Sequence, residues 1–250
     1  AVVPAGQTGL ADIEAAVDNL FNHPNTAPFI GKQLIQRLVT SNPSPAYVTR
    51  VSEAFIDNGE GIRGDLRAVL SAVLLDPEAR AVPDSTSNFG KLREPLLRYT
   101  AMLRQLNVSS PDGIYANVGF LVQDRIQQHP LSAPSVFNFY LPSHQPIGAI
   151  ADQGLVAPEF QITNTNSVVE ISSLMQIAVV GDFVNDVQDP PFSPATLALT
   201  DLLPLAGNIG ALLDRLDTMF TYGTLTDDTR QSISSLLTLI DETELRVRIA

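Results

Sequence analysis

Between Asn22 and Arg80, apolar residues recur every three or four positions, and prolines, glycines and capping side chains cut the runs into short pieces. That spacing puts side chains on one face of a helix and leaves no alternation from which a sheet could be built. The same pattern starts earlier, with Leu10, Ile13, Val17, Leu20 and Phe21 following Thr8-Gly9 and ending at His23-Pro24. Asp12 and Glu14 lie in its first turn, where the helix dipole favours acids. A second helix is expected from about Thr26, with Ile30, Leu34, Ile35, Leu38 and Val39 on one side, stopped by Ser41-Asn42-Pro43. Ser44 offers a cap and Pro45 a preset first-turn angle for a third, whose face is Tyr47, Val48, Val51, Ala54 and Phe55. Asp65 caps a fourth carrying Leu66, Val69, Leu70, Val73 and Leu74, and Asp76-Pro77 closes the unit.

After a Ser-, Asn-, Pro- and Gly-rich linker, Ala81 to Gly90, a helix is expected over Pro95 to Leu106, then weaker order through Val118 to Gln127. The segment 129–166 is studded with prolines and holds the aromatic run Phe137-Asn-Phe-Tyr140. Irregular stretches of this length act as sites or covers, or stay unfolded. Helices are expected again at Asn166 to Val180 and Pro194 to Leu203. Two further stripes are Ile209, Leu212, Leu213, Leu216, Phe220 and Ile233, Leu236, Leu237, Ile240. The class read from this pattern is all-α, an irregular multi-helix bundle with a long Pro-rich, aromatic loop region. It comprises a capped helical unit, 1–80, and a second, 91–250, packed with the first as one domain.

The chain has 250 residues, 44% of them hydrophobic, enough to bury roughly 70–75% of the unfolded surface without staples. It contains no cysteine, which removes thiolate catalysis and cysteine-based metal sites together. A formal net charge of −12 opposes nucleic acid, whose binding rests on clustered Lys and Arg. The aliphatic runs fall far short of the ~20 residues of a membrane helix.

Gly59-Glu-Gly61-Ile-Arg63-Gly64 matches a phosphate-cradling pattern, making Gly61, Arg63 and Gly64 a candidate anion site. The plainer reading is a tight helix-to-helix turn, because no strand precedes it and Asp65 would stand where the phosphate should sit. Asp57 to Ile62 fails the calcium-loop register, and the acidic stretch Asp182 to Asp189 is a cation candidate by charge alone. His23, His129 and His144 each lie near a proline without ligand spacing, so no metal site or cofactor is assigned. Serine hydrolase elbows and phosphate loops are absent. What remains is a binding loop of aromatic faces and polar groups, Asn138, Tyr140, Glu159, Gln161 and Asn164, suited to a sugar or peptide. The structural alternative has Phe137, Phe139 and Phe160 pinning the loop while its amides satisfy buried backbone.

His23-Pro-Asn25, Arg37-Leu-Val39, Pro43-Ser-Pro45, Arg63-Gly-Asp-Leu66, Leu75-Asp-Pro-Glu78, Pro134-Ser-Val-Phe-Asn-Phe-Tyr140 and Leu155-Val-Ala-Pro-Glu-Phe160 together resemble the bacterial "domain of unknown function 1800" family. The resemblance runs over essentially the whole chain. It implies the C-terminal half of a longer, exported, cell-envelope protein, and it transfers no catalytic residue. The expectation is a noncatalytic scaffold or binding domain recognising a surface polymer or a partner protein, or docking on the missing N-terminal half. The alternative is a hydrolase of extracellular polymer using Glu159 and Asp152 as acid and base.

Overall fold

Wherever the sequence places a capping side chain before an apolar run, a helix begins. The computed structural model describes residues 4–81, 88–115, 125–181 and 193–250. Its α-helices in chain order are α1 (Gly9–Phe21), α2 (Thr26–Leu38), α3 (Pro45–Ile56), α4 (Leu66–Leu75), α5 (Pro77–Arg80), α6 (Pro95–Gln105), α7 (Ala149–Asp152), α8 (Thr165–Val180), α9 (Ile209–Leu216), α10 (Asp227–Leu237) and α11 (Thr243–Ile249). Thr8, Ser44, Asp65 and Asp76 accept backbone N–H groups at the starts of α1, α3, α4 and α5. The fold is all-α, and among the described residues the only β-pairing is an isolated bridge between Ser109 and Thr196. No described helix is long and apolar enough to cross a membrane.

The chain divides into two compact units, Ala1–Leu92 with Leu141–Phe160, and Arg93–Tyr140 with Gln161–Ala250. The long Pro-rich segment is thus shared out, its middle part, Leu141–Phe160, clustering with the N-terminal unit.

In the first unit α2, α3 and α4 pack mutually around Ala27, Ile35, Tyr47, Val51, Phe55, Val69 and Val73. Gly31 permits the close approach of α2 to α3: a Cβ there would lie 3.1 Å from Val51 Cγ1. The buried Tyr47 hydroxyl donates to Val73 O at 2.5 Å, tying α3 to α4, and burial pushes its pKa up to about 12. Arg50 grips Asp76 through Nε and Nη2 at 2.6 and 2.8 Å. Leu141–Phe160 is fastened to this core by polar groups. Asn42 exchanges two 2.9 Å hydrogen bonds with the Val156 backbone, and the Gln36 amide donates to Ser41 O and Pro142 O. The apolar stripe of α1 behaves otherwise: Leu10, Ile13, Val17 and Leu20 are all more than half exposed.

In the second unit α6, α8, α9, α10 and α11 surround a core that includes Tyr99, Leu103, Ile171, Leu174, Leu212, Leu213 and Leu237. The helix expected over Pro194 to Leu203 is not formed. Residues 193–199 are extended, with Ala195, Leu197 and Leu199 buried and the residues between them exposed, and at the end of the expected span Leu203–Leu205 makes a 3-10 turn. Leu106 O and Ser109 pair with this segment's backbone, so its hydrogen bonds are supplied from outside and a helix is not needed to satisfy them. The expected stripe through Phe220 is broken as well, since α9 gives way at Asp217 to a π-helical turn, Asp217–Thr221.

Candidate functional site

Of the binding-loop residues, Glu159 belongs to the first unit and Asn138, Tyr140, Gln161 and Asn164 to the second. The Tyr140 ring, expected to be exposed, is 2% exposed and so offers no stacking face. Asn138 is exposed at a positive φ of 69°, a turn conformation that asparagine tolerates. Asn164 is a helix cap: its Oδ1 accepts from Asn166 N and Ser167 N, while Ser167 Oγ accepts from Asn164 N in a reciprocal capping box. Gln161 is exposed in a 3-10 turn. Glu159 is 1% exposed and bound to Lys91 Nζ at 2.8 Å, and Lys91 also donates to Arg37 O. A buried, ion-paired carboxylate cannot meet a polymer in an open cleft, so pairing it with the exposed Asp152 as acid and base is set aside.

The glycine-rich turn is closed from within. Asp57 Oδ1 accepts the amides of Gly59 and Gly61, and Asn58 Oδ1 those of Glu60 and Ile62. The amides that would cradle a phosphate are therefore taken. Arg63 donates Nε and Nη2 to Phe21 O and lies over the rings of Phe21 and Phe55. Gly64 has φ +77° and a Cβ there would meet Phe21 at 2.6 Å, so this glycine serves a close contact. The anion-site reading of Gly61, Arg63 and Gly64 thus gives way to a structural turn. His23 Nδ1 accepts from Asn25 N and His129 bonds Ser132, local roles in both cases. Asp182 to Asp189 lie outside the described residues.

The second unit contains an opening that its own side chains do not fill. A cavity of about 650 Å³ lies among α6, α8, α11 and the end of α9. Its walls are Met102, Leu106, Met175, Val179, Leu202, Leu216, Phe220 and Val247, and no carboxylate side chain lines it among the described residues. The volume falls inside the ~300–1,000 Å³ range of small-molecule sites. A smaller hollow of about 300 Å³ shares Arg93, Ala101 and Phe220 with it and adds Arg104 and Met219.

Arg98 is one of four polar residues in this wall, with Arg93, Gln176 and Arg248. It stands on α6 four residues before Met102 and eight before Leu106, on the stripe that faces the cavity. Its Nε and Nη2 are buried with no hydrogen-bond partner, and burial lowers the guanidinium pKa. An arginine nevertheless stays protonated at neutral pH, so two donor atoms of a half-buried cation are left without an acceptor. Leaving a buried donor unmade costs about 1–3 kcal/mol, more for a charged group. The sequence carried this signal, a charge in step with Met102 and Leu106, but the apolar spacing of α6 alone conceals it.

The architecture defines an all-α domain with an open, largely apolar cavity in its second unit. A profile of the family described as "Protein of unknown function (DUF1800)" matches residues 2–248, and the chain belongs to that family. No curated protein and no solved structure matches the chain.

Proposed function

We propose that this chain is a noncatalytic binding domain of an exported bacterial protein, and that its ligand occupies the apolar cavity of the second unit. The observation that carries the reading is the cavity itself, roomy and largely apolar. A concave opening of this volume lined by methionine and aliphatic side chains has the form of a small-molecule site. Methionine suits the task, because its flexible thioether adapts to varied apolar shapes. The export assignment rests on the family resemblance alone.

The chain has three methionines, and Met102 and Met175 line the cavity while Met219 lines the adjoining hollow. A spectrum of the protein labelled with [13C]methyl-methionine therefore reports on this site directly. Adding decan-1-ol is expected to shift the Met102 and Met175 signals saturably. Signals that stay in place through the solubility limit of the alcohol overturn the reading.

A further inference from the structure

The apolar stripe of α1 is left uncovered by the described residues. Leu10, Ile13, Val17 and Leu20 follow one another at intervals of three, four and three residues, the a and d spacing of two heptads and the seam of a coiled coil. Their exposure runs from 56 to 66%. Large aliphatic side chains scattered singly over a surface are ordinary, but a contiguous row of them along one helix face marks a surface that meets something else. The helix is nevertheless held in place at its C-terminal end. The Phe21 ring packs on Phe55 with centroids 5.9 Å apart, Arg63 donates to Phe21 O, and Thr26 Oγ1 donates to Leu20 O. Thr8 caps the other end. The seam is thus formed in advance, which spares a partner the cost of ordering it.

The charges beside the seam decide what fits it. Every charged residue of α1 is acidic: Asp12, Glu14 and Asp18. The Gln7 amide engages Asp12 at 2.6 Å, whereas Glu14 and Asp18 stand exposed, four residues apart along one edge of the stripe. Glu14 falls at heptad position e, where charge selects the coiled-coil partner. Arg63, a cation at the C-terminal end of the helix, is committed to Phe21 O. A second copy fits this face poorly. It would bring another acidic helix with no Lys or Arg to set against Glu14 and Asp18, and two heptads fall short of the about three to four of a self-sufficient coiled coil. We infer that the α1 stripe docks an amphipathic helix of a partner protein, apolar at the same three-and-four spacing and carrying Lys or Arg on the edge that faces Glu14 and Asp18. This surface belongs to the first unit and stands independently of the cavity reading.

The test titrates the full chain with two synthetic peptides of three heptads, both with leucine at a and d, one with lysine and the other with glutamate at e and g, so that like charges keep each peptide from pairing with itself. Wild type is expected to bind the lysine peptide at least about tenfold more tightly than the glutamate peptide. Salt at about 1 M, where the screening length is ~3 Å, should erase that preference. Val17→Asp places a charge in the middle of the seam and should abolish binding of both peptides with the melting temperature unchanged, since Val17 is exposed. The double variant Glu14→Lys, Asp18→Lys should exchange the preference for the glutamate peptide, which a misfolded chain could not do. Wild type that binds neither peptide, or both alike, overturns the inference, as does a preference that survives in the double variant or binding that survives in Val17→Asp. Sedimentation of wild type as a dimer that Val17→Asp dissolves shows a second copy on the stripe and overturns it too.

Discussion

Arg50 and Arg98 are the same side chain in opposite circumstances. In the first unit Arg50 is half exposed, yet its Nε and Nη2 close on the nearly buried Asp76, which in turn caps α5 through Glu78 N. In the second unit the corresponding atoms of Arg98 are buried, and nothing in the protein answers them. The contrast extends beyond two residues. In the first unit Tyr47 bonds Val73 O, Asn42 bonds Val156, Glu159 pairs with Lys91 through Oε1, and Asp57 and Asn58 close the glycine-rich turn. A side chain that finds its partner within the protein adds to stability, whereas buried polar atoms without one call for a separate explanation.

The largest effect that separates these two kinds of region is expected at Glu159. Glu159→Gln takes the counter-charge from Lys91 in a buried setting and should lower unfolding stability by about 3 kcal/mol, read from urea denaturation, while ligand binding in the second unit is unchanged. A loss of binding with unchanged stability would move Glu159 from structure to function.

Next comes the arginine pair. Arg50→Met leaves Asp76 buried without its partner and should lower the melting temperature by several degrees. Arg98→Met removes two buried donor atoms that lack acceptors and should raise stability by about 1 kcal/mol in the absence of ligand. Changes of the same sign in the two variants would break the comparison.

The smaller effect is in pH. The hydrogen bond from Arg50 is the main reason the Asp76 carboxyl titrates below its ordinary 3.8. A depressed pKa contributes stability that is fully present above the unfolded value and is lost as pH falls through the folded one. Wild type should therefore lose stability as pH drops below about 3.8, and Arg50→Met should show a shallower acid limb over the same interval. Parallel limbs would show that Arg50 does not govern Asp76.

The helices of the first unit were legible because their starts are written in side chains. Thr8, Ser44 and Asp65 each cap the helix that the apolar spacing predicts, and the caps and the spacing agree. The extended segment at residues 193–199 was misread for a definable reason. Its buried set, Ala195, Leu197 and Leu199, has period two, but Ala198 among the outward residues blurs the alternation, and Pro194 resembles a helix start. The loop residues misled differently: aromatic and amide side chains near prolines look like a cleft, yet Tyr140 fills a core and Asn164 caps α8. Arg98 was missed because periodicity identifies which face of α6 is apolar but not what surrounds that face. Whether an arginine there finds an acceptor depends on α8, α9 and α11, more than sixty residues further along the chain.

The most direct measurement is a crystal structure of the chain soaked with decan-1-ol. The account predicts density for the alkyl chain running past Met102 and Met175. A cavity still empty at the solubility limit of the alcohol would contradict it.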